Sequence, residues 1–168
     1  MKGAKYVSIV AMFTAFISIC GIIAHTMPWI GHPTIGAILI TFLYSTAFSV
    51  MGKLGTTTNI GLLVGVVNSF VFGLLLSIPV HLVRGATFNL FLLITRHRLR
   101  CKKHAITSSM LSFYLTMIVI YALLIPRFIS CFSWLIMVGV PSVLLTILGG
   151  LLTLRYKEKF QQLWRAMR

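Results

Sequence analysis

From Tyr6 to Met27 the chain passes without a single Asp, Glu, Lys or Arg, and four more stretches share that property: Thr34–Gly52, Ile60–Val80, Ala105–Ile125 and Cys131–Leu154. A helix needs about 20 mostly apolar residues to cross a bilayer. Runs of this length, bounded by bases, leave little room for a water-soluble fold. Composition agrees: of 168 residues, 58% are hydrophobic and 10% charged, against about 25% charged in an ordinary soluble domain. The expectation is an all-α, polytopic membrane protein of one compact bundle.

Between the third and fourth runs lies a shorter apolar segment, Gly85–Thr95, bounded by Arg84 and Arg96. Eleven residues of helix cover only about 16 Å. The segment crosses only if the helix continues to Arg100 with its arginines reaching back to the interface; the alternative is one long crossing kinked at Pro79. Charge placement separates the two. Six spans with the N-terminus inside put Lys2, Lys5, Lys53, the five bases from Arg96 to Lys103 and the five from Arg155 to Arg168 on the cytoplasmic side, leaving Arg84 and Arg127 outside. Five spans leave ten inside and four outside. An excess of Lys and Arg on the cytoplasmic side favours six. The expected spans are 6–27, 34–52, 60–80, 85–100, 105–125 and 131–154, with both termini cytoplasmic in the cell membrane.

The first run follows Lys2 and Lys5 in the manner of a signal peptide, but it is long and no small-residue cleavage pattern follows it. It reads as a retained helix. In the tail 155–168, Phe160, Leu163, Trp164 and Met167 fall at helical spacing opposite basic residues. The tail is therefore expected to be an amphipathic helix lying on anionic lipids of the cytoplasmic face. On this reading the net charge of +14 sets orientation and lipid contact and gives no reason to expect nucleic acid.

With fifteen bases against one acid, Glu158, much chemistry is excluded. Paired-carboxylate hydrolysis and two-metal phosphoryl transfer need more acids than the chain has. The stretch Gly52–Thr57 lacks the spacing of a phosphate loop, so no ATP site is expected, and no G-x-S-x-G elbow is present. Cys20, Cys101 and Cys131 match no metal spacing, and neither do the histidines. No enzyme, resident metal or cofactor is expected.

Most remaining polar residues fall, on this topology, at the outer face. One outer loop holds His25, Trp29 and His32; a second holds His81 and Arg84, with Asn89 just beyond; a third holds Arg127, followed by Trp134. Asn68 lies deeper, within the third span. Together they suit a small neutral or anionic solute. Each also has a plainer role. Tryptophans anchor helices at the interface, Arg127 can meet lipid headgroups, and Asn68 can bond a neighbouring helix. Arg84 is the strongest binding candidate, because an arginine inside a bundle without acids must find carbonyls, water or an anionic ligand.

Two helices carry small residues four apart, Ala11-xxx-Ala15 and Gly61-xxx-Gly65, a spacing that lets helix backbones approach closely. The stretch Ala11-Met12-Phe13-Thr14-Ala15 resembles the first helix of substrate-binding S components of energy-coupling factor (ECF) transporters. Gly52-Lys53-Leu54-Gly55 through Gly61-Leu62-Leu63-Val64-Gly65 is similar to their second loop and third helix. Pro79, Arg84-Gly85 and Asn89 resemble the outer loop and entry to the fourth. Size, six spans and inside termini agree over nearly the whole chain.

The resemblance implies a subunit that captures a vitamin or cofactor precursor outside and passes it inward. Its partners would be a transmembrane coupling subunit and two ATPases. It implies that Ala11 and Ala15 dock on the coupling subunit, and that Trp29, His32, His81, Arg84, Asn89 and Arg127 line the pocket or its lid. The chain begins Met1-Lys2-Gly3, without the Met-His start of the nickel and cobalt members. A cationic substrate is disfavoured by the absence of acids. The competing expectation is a small structural or assembly membrane protein with no transported ligand.

Overall fold

The computed structural model describes residues 3–26, 31–51, 53–95, 102–124 and 132–166. They form six helices and, among the described residues, no strand: α1 (Gly3–Thr26), α2 (Gly31–Met51), α3 (Thr56–Phe72), α4 (Ser77–Thr95), α5 (Lys102–Leu124) and α6 (Phe132–Ala166). The chain is all-α with six helices, as its charge-free runs indicate. Among the described residues one stretch, Gly3–Ala24, is long and apolar enough to cross a membrane, and Ala37–Met51 and Thr56–Phe72 are shorter apolar helices.

The helices close into a ring in the order α1, α3, α4, α5, α6, α2, and α2 also touches α3, α4 and α5 from within. This central position explains why Tyr44 to Ser49 are buried without interruption. Ile9, Val10, Phe13 and Ile17 of α1 pack against Ile40, Tyr44, Ala47 and Phe48 of α2, Ile60 and Val64 of α3 and Phe88 of α4. The Phe88 ring stacks on Tyr44 (centroids 6.3 Å apart, planes 7° apart) and meets Phe48 at 5.8 Å.

Two boundaries differ from the sequence reading. The third and fourth helices were expected at 60–80 and 85–100; they run Thr56–Phe72 and Ser77–Thr95. Gly73, at φ 66°, ends α3 in the left-handed conformation that closes many helices. Pro79 then sits in the first turn of α4, where a missing N–H costs nothing because those donors have no partner within the helix. Pro79 therefore helps begin a helix and does not kink one. The second difference is the tail. Residues 155–166 continue α6 without a break, and the Phe160 ring lies 6.0 Å from that of Phe42 in α2. Residues 155–166 are therefore the end of α6 and not a separate helix.

Outside this apolar core, large apolar side chains are exposed and polar ones are buried. Many large apolar residues are exposed, and among the described residues Phe70, Leu75, Ile94, Val7, Leu144 and Ile118 are more than 60% so. Every helix contributes buried polar residues, among them Thr14, Ser45, Asn68, His81, Ser112 and Thr146. Several of these hydroxyls bond back to their own helix, Thr116 to the Ser112 carbonyl (2.7 Å) and Thr146 to that of Ser142 (2.6 Å).

Candidate functional site

The helix α4 carries the expected site residues as a ladder along its length, not as a cluster at one level. Its seam with α3 is closely packed. A Cβ on Gly65 would stand 2.7 Å from the Ile78 Cα, and one on Gly61 or Gly85 would collide with the carbonyl of His81 or Thr57. These three glycines therefore let two backbones touch.

Near the start of α4, His81 is buried and its Nε2 lies 3.2 Å from Asn68 Nδ2 of α3. Gly21 of α1 leaves room for that amide, since a Cβ there would stand 3.2 Å from Asn68 Nδ2. Asn68 and His81, expected together, are brought together where α1, α3 and α4 meet.

Arg84 follows one turn on. By helical rise it lies about 10 Å from the start of α4 and about 16 Å from its end, so it stands inside the bundle and not in an outer loop. It precedes Phe88 by four residues and so shares its face, the face that meets Tyr44. Ser112 of α5 donates to the Arg84 carbonyl at 3.4 Å. Among the described residues the guanidinium has no hydrogen-bond or ion-pair partner. The sole acid, Glu158, lies in the exposed part of α6. Arg84 nonetheless retains part of its accessible surface.

Unsatisfied hydroxyls lie on the buried faces of the neighbouring helices. Tyr44 Oη and Ser45 Oγ on α2, and Thr14 Oγ1 and Ser18 Oγ on α1, are enclosed without a hydrogen bond. The sequence signal for them was the four-residue repeat of hydroxyls within apolar helices: Thr14/Ser18, Thr41/Ser45/Ser49 and Ser108/Ser112/Thr116. Among the described residues no three His, Cys, Asp or Glu side chains gather as a metal site would require.

Asn89 stands apart from this region. Its Oδ1 accepts the Gly55 N–H at 3.2 Å and its Nδ2 donates to Thr58 Oγ1, so it ties α4 to the turn between α2 and α3. The sequence reading placed it one turn into a helix starting at Gly85. Because α4 starts at Ser77, Asn89 lies more than three turns in, toward the opposite end from His81. His32 falls in the first turn of α2. Trp29 and Arg127 lie outside the described residues, as does the side chain of His25.

Ala11 and Ala15 are exposed on the outer face of α1, with Val7, Met12, Phe16, Ile19 and Ile23 along the same stripe. Beside Ala11 a groove runs between α1 and α3, lined by Tyr6, Val7 and Val10 on one side and Asn59, Leu62 and Leu63 on the other. Its polar end is fixed by Asn59 Nδ2 donating to the Tyr6 hydroxyl at 3.1 Å and by the Lys53 ammonium 4.8 Å from the Tyr6 ring centre.

Searches against protein-family models, curated proteins and solved structures found no match to this chain.

Proposed function

We propose that this chain is a multi-pass protein of the cell membrane that captures a neutral or anionic micronutrient, a vitamin or cofactor precursor, and passes it inward. Six crossing helices with both termini cytoplasmic account for an exterior of large apolar side chains and an interior of hydroxyls and amides. Lipid is no better a solvent for leucine than another leucine, so such a bundle keeps its polar groups inside. Helix reversal puts Lys5, Lys53, Lys103, Arg155, Lys157 and Lys159 at one end of the bundle, the end expected to face the cytoplasm. Arg84 is the described cation that departs from that end.

The observation that carries the reading is Arg84, a guanidinium within the bundle with no acidic or hydrogen-bonding partner among the described residues. Such a charge is costly in low dielectric and is retained where a ligand or water completes it. His81 lies one turn before it on α4, paired with Asn68 of α3 at 3.2 Å.

The chain contains no phosphate loop, so energy would come from partners: a transmembrane coupling subunit and two ATPases, as in the ECF transporters it resembles. The exposed Ala11/Ala15 stripe is the proposed contact with the coupling subunit, and the basic end contacts anionic lipids. Two measurements test the proposal. Mass spectrometry of solute released on denaturing the purified protein should find one small acid or neutral heterocycle; an empty protein would favour a purely structural role. Ala11→Trp with Ala15→Trp should abolish both copurification with the coupling subunit and uptake. Intact copurification and uptake would remove the docking assignment.

A further inference from the structure

We infer that the ligand carries a single carboxylate, bound between the Arg84 guanidinium and the Tyr44 hydroxyl. This deepens the capture reading above and rests on it. Three features of the interior narrow the ligand's charge. First, Arg84 is one formal charge with no acid near it, since the chain's sole acid is Glu158 on the exposed part of α6. A neutral ligand would leave that charge uncompensated in a medium where ions are costly. Second, no other Lys or Arg side chain described in the structure stands beside it; the rest lie toward the basic end. Against this one described cation, a dianion such as a phosphate ester would bring one negative charge too many. A monoanion balances the site.

Third, the donors suit a carboxylate. The guanidinium fork presents parallel N–H groups that match two carboxylate oxygens. The Tyr44 ring is held against Phe88 at 6.3 Å, on the α4 face that Arg84 shares. Its hydroxyl is buried and makes no hydrogen bond. A phenol O–H is a donor an anion can use and a cation cannot. Arg84 keeps accessible surface and meets the anion first; the phenol, enclosed between α2 and α4, is reached as those helices part to admit a carboxylate oxygen.

The test uses the full chain in lipid nanodiscs, with sodium benzoate, its uncharged analogue benzamide and sodium phosphate as probes at matched ionic strength. Thermal unfolding should shift upward with benzoate and not with benzamide or phosphate. Arg84→Gln should weaken the apparent benzoate affinity at least about tenfold, the loss expected of a charge-assisted pair. Tyr44→Phe should weaken it about two- to tenfold, one hydrogen bond's worth. Lys159→Gln, at the basic end, should leave it unchanged. Where Arg84→Gln fails to give a monodisperse protein, Arg84→Lys serves, keeping the charge but losing the fork and part of the affinity.

Equal shifts from benzoate and benzamide, a shift with phosphate alone, or no shift with any probe would overturn the carboxylate. So would an unchanged benzoate affinity in folded Arg84→Gln, and an unchanged affinity in Tyr44→Phe would remove the phenol. The capture reading fails separately: its test is a solute released from the purified protein, which can persist when all three probes fail.

Discussion

The α3–α4 seam and the outer face of α1 carry the same signature, small residues four apart, and use it in opposite ways. On α3, Gly61 and Gly65 face α4, where the His81 and Ile78 backbones occupy the space a side chain would need. On α1, Ala11 and Ala15 are exposed, Ala11 beside the groove that α1 forms with α3. Small-residue spacing states only that a close approach is possible. Whether the approach happens within the chain or with a partner is decided by which face of the helix carries the motif. The α1 core stripe Ile9, Val10, Phe13 and Ile17 already occupies the inward side, so the alanines are left outside.

The sharpest way to break the contrast is a side chain in the seam. Gly85→Leu would drive a side chain into the Thr57 carbonyl, a backbone atom that cannot turn aside. The expected cost is at least about 3 kcal/mol, at or above the usual range for overpacking. Size-exclusion chromatography in mild detergent should show aggregation or loss of the monodisperse peak. A folded Gly85→Leu protein of near-normal stability would mean that the seam is not closely packed.

Asn89 tests the lower end of the same seam. Asn89→Ala leaves the Gly55 N–H without its acceptor and Thr58 without its partner. Removing one side of a partly buried pair costs about 1–3 kcal/mol, to be read from unfolding in mixed SDS micelles. If Asn89 instead touched ligand, affinity would fall with stability unchanged.

The fold was legible because charge-free runs of helical length admit few structures. The α3–α4 boundary is not legible in the sequence because Pro79 and Gly85 suit a loop as well as a helix. In this setting Gly73 supplies the stop, Pro79 fits the first turn and Gly85 serves contact. The junction at residue 155 is not legible because amphipathic spacing fits the end of a continuous α6, with Phe160 near Phe42, as well as a separate helix. In the site, Arg84 was legible since a base without any acid is conspicuous in composition. Its depth was not, because depth depends on where α4 starts. Tyr44, Ser45, Thr14 and Ser18 escaped notice because hydroxyls are common in apolar helices, and only the packed bundle shows which of them lack partners.

A smaller effect is expected where the two small-residue faces come nearest each other through α1. Asn68 bridges α3 to His81 of α4 and lies against Gly21 of α1. Interhelical hydrogen bonds of this kind average about 0.6 kcal/mol in membrane proteins. Asn68→Ala should therefore lower stability by about that much in the same SDS titration. A loss above about 2 kcal/mol, beyond the usual maximum for such bonds, would show that Asn68 holds more than this one contact.

The smallest stability effect belongs to the face with the largest proposed functional one. Ala11 and Ala15 are exposed, and surface substitutions away from packed features usually stay within about 0.5 kcal/mol. Ala11→Trp and Ala15→Trp should therefore unfold as the wild type does in SDS. If the α1 face docks a partner, the same variants lose copurification, because two indoles hold apart backbones that alanines allow to meet. Stability and association then separate at α1, whereas at the seam they cannot, since a blocked seam leaves no folded protein to dock. Should the tryptophans destabilise the isolated chain by more than about 1 kcal/mol, Ala11 and Ala15 would be internal packing like Gly61 and Gly65, and the two regions would no longer differ.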